Sequence, residues 1–210
     1  MSPLTNALNR IVACWEKNGN EKLVHGLMPG LSHAEIEKLV QDLPIQLPQE
    51  IFELYQWRNG SKYEEDEGWY LPLQDAVKFY LNRIEYYEPP FNEGNVAIIC
   101  LFFYIFPPDP ISEQAGYILI PESHDACPVI FETMNSEPSI TRKYASITAM
   151  MLTIAELMET EIDAYKTEER YQIWRKYNIS IVDNALAKLT NDICLQSLVE
   201  IATDLTMFKD

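Results

Sequence analysis

His124, Asp125 and Cys127 are the closest this chain comes to a reactive cluster. An imidazole beside a thiol can form a cysteine nucleophile, and all three residue types ligate zinc. A structural zinc site needs about four ligands at fixed distances, and this segment offers only three candidates. His25 and His33 lie far upstream, and nothing in their spacing recruits them as a fourth ligand. A Cys-His pair needs spatial adjacency that sequence order does not supply. The plainer reading of His124 is an exposed turn. A second candidate is the carboxylate run Glu64, Glu65, Asp66 and Glu67. General acid-base work requires one carboxylate of a pair to be desolvated so that its pKa rises. Consecutive carboxylates on a loop are expected to stay solvated. The chain has seven glycines and no GxGxxG or GxxxxGK[ST] phosphate loop. The expectation is a non-enzymatic chain with no metal and no cofactor. The alternative is a small hydrolytic or ligand-binding enzyme that uses the His124–Cys127 loop.

Charge favours binding over chemistry. The 210 residues carry 16 basic and 32 acidic side chains, a formal net charge of -16. Nucleic acid, which needs basic surface to displace phosphate counterions, is excluded as a partner, and so is an anionic membrane surface. A basic protein would be attracted and steered. Tyr63, Trp69 and Tyr70 flank the carboxylate run, and hot spots at interfaces are enriched in Trp and Tyr within a polar surround. Tyr63, Glu64, Glu65, Asp66, Glu67, Trp69 and Tyr70 are therefore the candidate partner-binding residues. The competing reading makes Trp69 and Tyr70 core residues of a strand. Cys14, Cys100, Cys127 and Cys194 contain no CxxC pair and read as buried free thiols of a reducing compartment. The N-terminus shows no basic leader ahead of an apolar core, and the longest apolar run, Val96 to Phe106, is too short to span a bilayer. A soluble, cytoplasmic chain is expected.

The elements that would position these residues follow from periodicity and capping. Ser2 and Pro3 open a helix whose Leu4, Leu8, Ile11, Val12 and Trp15 share a face. Asn18-Gly19-Asn20 stops it, and His25 to Gly30 reads as a connector. Ser32 and Glu35 form a capping box, with Leu31 and Ile36 as its staple. Ile36, Leu39, Val40 and Leu43 are the buried stripe, and Pro44 ends the helix. The next helix starts at Pro48, buries Ile51, Phe52, Leu54 and Tyr55, and stops at Asn59-Gly60. Beyond the acidic loop, Trp69 to Leu73 reads as a strand. Gln74 to Tyr87 reads as a helix with Ala76, Val77, Tyr80, Leu81 and Ile84 inward. Strands are expected in Val96 to Phe106, Gly116 to Ile120 and Pro128 to Glu132. Ser146 caps a helix with Ile147, Met151, Ile154 and Met158 on one stripe. An acidic stretch from Glu156 to Glu169 contains a single cation, Lys166. Tyr165, Tyr171, Trp174 and Tyr177 form an aromatic face, and Asp183 caps a last helical pattern. Strands in sequence between helical flanks predict an α+β fold with a mainly antiparallel or mixed central sheet packed against helices.

With these residues laid out, the chain resembles the SUKH superfamily, in particular the branch named for a yeast cell-wall-assembly regulator. The resemblance rests on Leu47-Pro48 and its helix to Asn59-Gly60, then Trp69 to Leu73, Gly116 to Ile120, Val129 to Glu132, and the helix from Ser146. It covers roughly residues 31 to 162. That gives an N-terminal helix and connector over 1–30, a SUKH-like α+β domain over 31–162, and a C-terminal helical extension over 163–210. The stretch Phe79 to Phe106 is longer than the family pattern, and the chain after Thr160 extends beyond it. The resemblance implies a single α+β domain that binds proteins. It is either an immunity-type protein that neutralises a toxin, often a nuclease, or a regulatory interaction hub. A third expectation is a homo-oligomer assembled through the terminal helices.

Overall fold

A computed structural model describes the backbone of residues 1–43, 47–62, 69–86, 97–100, 115–120, 129–133, 139–162 and 166–191. Helix α1 (Pro3–Lys17) starts where Ser2 accepts a hydrogen bond from the Thr5 N–H, with Pro3 in its first turn. It buries Leu4, Ala7, Leu8, Ile11, Cys14 and Trp15. Each large apolar side chain removed from water contributes about 1.5–3 kcal/mol, so docking, and not helix propensity, holds this segment. The expected N-terminal unit, residues 1–30, thus shares one core with the helices downstream of it. Cys14 is a buried free thiol, pushed above its ordinary pKa by burial. The side chains of Cys100, Cys127 and Cys194 lie outside the described residues.

The segment expected as a connector is ordered instead. Helix α2 (Glu21–Gly26) runs into strand β1 (Leu27–Pro29), which pairs antiparallel with β2 (Arg58–Ser61). A partner distant in sequence supplies the hydrogen bonds that the local Gly and Pro residues do not suggest. Helix α3 (His33–Val40) carries the full capping box: Ser32 Oγ accepts from the Glu35 N–H at 3.3 Å, and the Glu35 carboxylate accepts from the Ser32 N–H at 2.7 Å. Ile36 is buried, and Leu31 packs against the core as the staple requires. Helix α4 (Gln49–Trp57) follows Pro48 and buries Ile51, Leu54 and Tyr55, with Phe52 packed at the core's margin.

After α5 (Leu73–Tyr86), strands β3 (Ala97–Cys100), β4 (Ala115–Ile120), β5 (Val129–Thr133) and β6 (Ser139–Tyr144) pair antiparallel in sequence order. Ile99 faces Ile118 across the first ladder, and Phe131 faces Thr141 across the last. The architecture is α+β. Helix α6 (Ile147–Thr160), capped by Ser146 Oγ accepting from the Ala149 N–H at 3.0 Å, buries Ile147, Met150, Met151, Ile154 and Ala155 in the same core as α1 and α4. Helix α7 (Thr167–Asn191) then packs on α6. Asp183 lies inside α7 and starts no new helix; the irregularity falls at Asn178, whose backbone leaves helical geometry at φ -121° and ψ 22°. Leu81, expected inward, is exposed on α5.

Two carboxylates of α4 organise the helix layer. Glu53 accepts from the Thr5 N–H at 3.1 Å and from Thr5 Oγ1 at 2.7 Å, in the first turn of α1. Glu50 accepts from the Thr148 N–H at 3.0 Å and from the Thr148 hydroxyl, in the first turn of α6. At the other end, Lys17 meets Glu161 at 2.8 Å. α1 and α6 therefore run parallel with their dipoles side by side. The two glutamates place negative charge where both positive ends gather.

Candidate functional site: the frame of the acidic loop

The site begins at the end of α4. Asn59-Gly60, expected as the helix stop, instead lies within β2, because α4 ends at Trp57 and the chain becomes extended at Arg58. Gly60 does hold a left-handed φ of +72°. A Cβ there would sit 2.6 Å from the Leu71 carbonyl carbon and from Pro72 N. The requirement for glycine is thus set by the returning chain, Trp69 to Pro72, and not by a helix terminus.

That returning chain is no strand. Trp69 and Tyr70 form a bend, and Leu73 already opens α5. Both side chains are buried, at 4% and 0% exposure, so consecutive residues point inward where a half-buried strand would alternate. The backbone is satisfied by side chains of β2. Ser61 Oγ accepts from the Trp69 N–H at 2.6 Å, the Ser61 N–H donates to the Tyr70 carbonyl at 3.0 Å, and Asn59 Oδ1 accepts from the Leu73 N–H at 2.9 Å. Tyr70 donates its hydroxyl to the Arg58 carbonyl at 2.6 Å, and Tyr55 donates to the Leu71 carbonyl at 3.1 Å. Burial pushes the Tyr70 phenol well above its ordinary pKa, which keeps it a neutral donor.

Aromatic packing completes the frame. Trp69 meets Trp15 edge-on at 4.7 Å between centroids, Trp57 at 5.9 Å and Tyr70 at 5.5 Å. Trp57 Nε1 donates to Asn9 Oδ1 at 2.8 Å, and the Arg58 guanidinium lies 5.6 Å from the Trp57 ring centre. Such edge-on pairs add about 0.5–1.5 kcal/mol each beyond their buried area. On the other side of the loop, the Lys62 N–H donates to the Gly26 carbonyl at 2.9 Å. The residues on either side of 63–68 are thus held by hydrogen bonds at Ser61-Lys62, and by hydrogen bonds and packed rings at Trp69-Tyr70.

Of the candidate partner-binding residues, Tyr63, Glu64, Glu65, Asp66 and Glu67 lie outside the described residues. Trp69 and Tyr70 have their rings in the core, as the competing reading has it, though in a bend and not in a strand. Sequence reading missed Asn59 and Ser61 as anchors. Their one available signal was a pair of small polar residues around a glycine, common at turns of every kind. His124, Asp125 and Cys127 also lie outside the described residues. Among the described residues no group of three or more His, Cys, Asp or Glu is placed to hold a metal, and no helix is long and apolar enough to cross a membrane. No protein-family model, curated protein or solved structure matches this chain.

Proposed function

We propose that this chain is a non-catalytic protein-binding module of the SUKH type, an immunity-type protein that binds and neutralises a basic, nuclease-like toxin. The observation that carries this reading is the hydrogen bonding and ring packing of the residues that flank 63–68. Four carboxylates in succession are strung between two junctions held by Ser61, Asn59, Trp69 and Tyr70. Fixing the ends of a binding segment lowers the ordering entropy lost on association. A nuclease presents Arg and Lys residues to phosphate groups, and a carboxylate run offers them an alternative anion. The net charge of -16 would draw such a partner in from a distance. With Trp69 and Tyr70 in the core, contact falls to Tyr63 and the carboxylates Glu64, Glu65, Asp66 and Glu67.

The test is a pull-down from native host lysate at low and moderate salt, using the wild-type chain beside E64K/E65K/D66K/E67K. The reading expects one basic partner held at low salt, weakened at moderate salt, and lost by the charge-reversed variant. A partner retained equally by both proteins would remove the loop from the interface.

A further inference from the structure

We infer that the first half of α7 is a strap, able to leave α6 as one unit while the core of α1, α4 and α6 stays folded. Its attachment is of a different kind from the rest of the helix layer. Among the described side chains of α7, Ile173 is the only buried apolar one, and it stands apart from the main core cluster. α1, by contrast, commits six buried residues. α6 meets the core with Ile147, Met150, Met151, Ile154 and Ala155, and hydrogen-bonds α7 through Thr153 and Glu156.

Among the described residues, two polar fastenings hold the strap beside the half-buried rings of Tyr171, Trp174 and Tyr177. Asn178, fully buried, joins three elements. Its amide nitrogen donates to the Trp174 carbonyl at 2.9 Å and to Thr153 Oγ1 on α6 at 3.3 Å. Its oxygen accepts from the Ala145 N–H at 2.8 Å, where β6 hands over to α6. One turn further along α6, Glu156 accepts from Lys176 Nζ at 2.6 Å and from the Tyr177 hydroxyl. Hydrogen bonds of this kind are exchanged for water when an element lifts away, so their net worth is small beside apolar burial. Elements held by few buried apolar contacts are the ones that open locally below the global unfolding free energy. The break in helical geometry falls at Asn178 itself, which marks where a rigid first half would end. Opening would uncover Thr153, Glu156 and the Ala145 N–H, a polar strip that water can satisfy without loss of the core.

Amide hydrogen exchange on the full-length protein, read by mass spectrometry, tests this. The strap predicts that peptides from residues 168–178 exchange at one shared rate, about tenfold or more above those of α1 and α4. N178A should speed the α7 peptides about tenfold again, and E156Q about threefold, with α1 and α4 unchanged. If N178A does not fold, the wild-type rates and E156Q carry the same reading. Equal rates in α7 and α1 would overturn the proposal, as would a graded rise from the helix end, the mark of fraying. Indifference of α7 to E156Q would overturn it too.

Discussion

Ser61 does the work of a whole strand ladder at the root of the acidic loop. Its hydroxyl is the acceptor for the buried Trp69 N–H, and no carbonyl among the described residues takes that role. Ser61→Ala leaves that donor without a partner, which costs about 1–3 kcal/mol. Urea unfolding should show this loss, and affinity for the proposed partner should fall with it, because Trp69 is no longer tied to β2. Gly60 sets a harder limit. Gly60→Ala combines a left-handed backbone with a methyl group 2.6 Å from the backbone of Leu71 and Pro72. A loss above about 2 kcal/mol is expected by the same measurement. Ion pairs act at this scale as well. Arg10 donates from Nε to Glu159 at 2.8 Å, and this hydrogen bond, against the opposing effect of burial, holds the Glu159 carboxyl below its ordinary range. A carboxyl whose pKa is lowered by folding stabilises the protein above its unfolded pKa and loses that contribution as pH falls through the folded one. Glu159→Gln should therefore flatten the decline in melting temperature from about pH 5 downward, and leave the slope above about pH 6 unchanged.

At the scale of elements, α4 is the organiser, since Glu50 and Glu53 each serve the first turn of another helix. Glu53→Gln and Glu50→Gln should each cost about 1 kcal/mol in urea unfolding. What was legible in the sequence depends on the reach of each signal. The α3 capping box is written within Ser32 to Glu35, and the structure repeats it bond for bond. The inner faces of α1, α4 and α6 depend on helical spacing alone and were equally readable. Trp69 to Leu73 misled because aromatic residues are common in strands, while the groups that hold this bend, Asn59 and Ser61, lie about ten residues upstream and carry no strand signal. β6 went unread because Arg142 and Lys143 interrupt its apolar pattern, and its pairing with β5 is what makes it a strand. Asp183 looked like a helix start because Asp is a favoured cap, yet the real discontinuity is at Asn178, where a buried amide answers to Thr153 and Ala145. The frame of the acidic loop was visible as composition only: its aromatic residues were noted, but their burial depends on Trp15 and Trp57 from two other helices.

At the scale of the molecule, charge opposes compactness. With 32 acidic and 16 basic residues, half of the carboxylates have no cation of their own. Salt weakens individual pairs such as Lys17–Glu161, but it relieves the larger excess repulsion at the same time. Raising ionic strength should therefore increase the melting temperature of the isolated chain by a few degrees, while weakening its hold on the proposed basic partner. The parallel pairing of α1 with α6 has a consequence of another kind, one of timing. The residues that meet across it are far apart along the chain: 149 positions for Arg10 and Glu159, 144 for Lys17 and Glu161. At about 5–20 residues per second of synthesis, α1 waits on the order of ten seconds for the part of its cover that α6 supplies. Throughout that wait α1 has only α4 and the Trp69 ring to pack against. The cover of α1 is thus completed in two stages, by α4 and Trp69 early and by α6 late, and a truncation that stops short of α6 leaves the second stage undone.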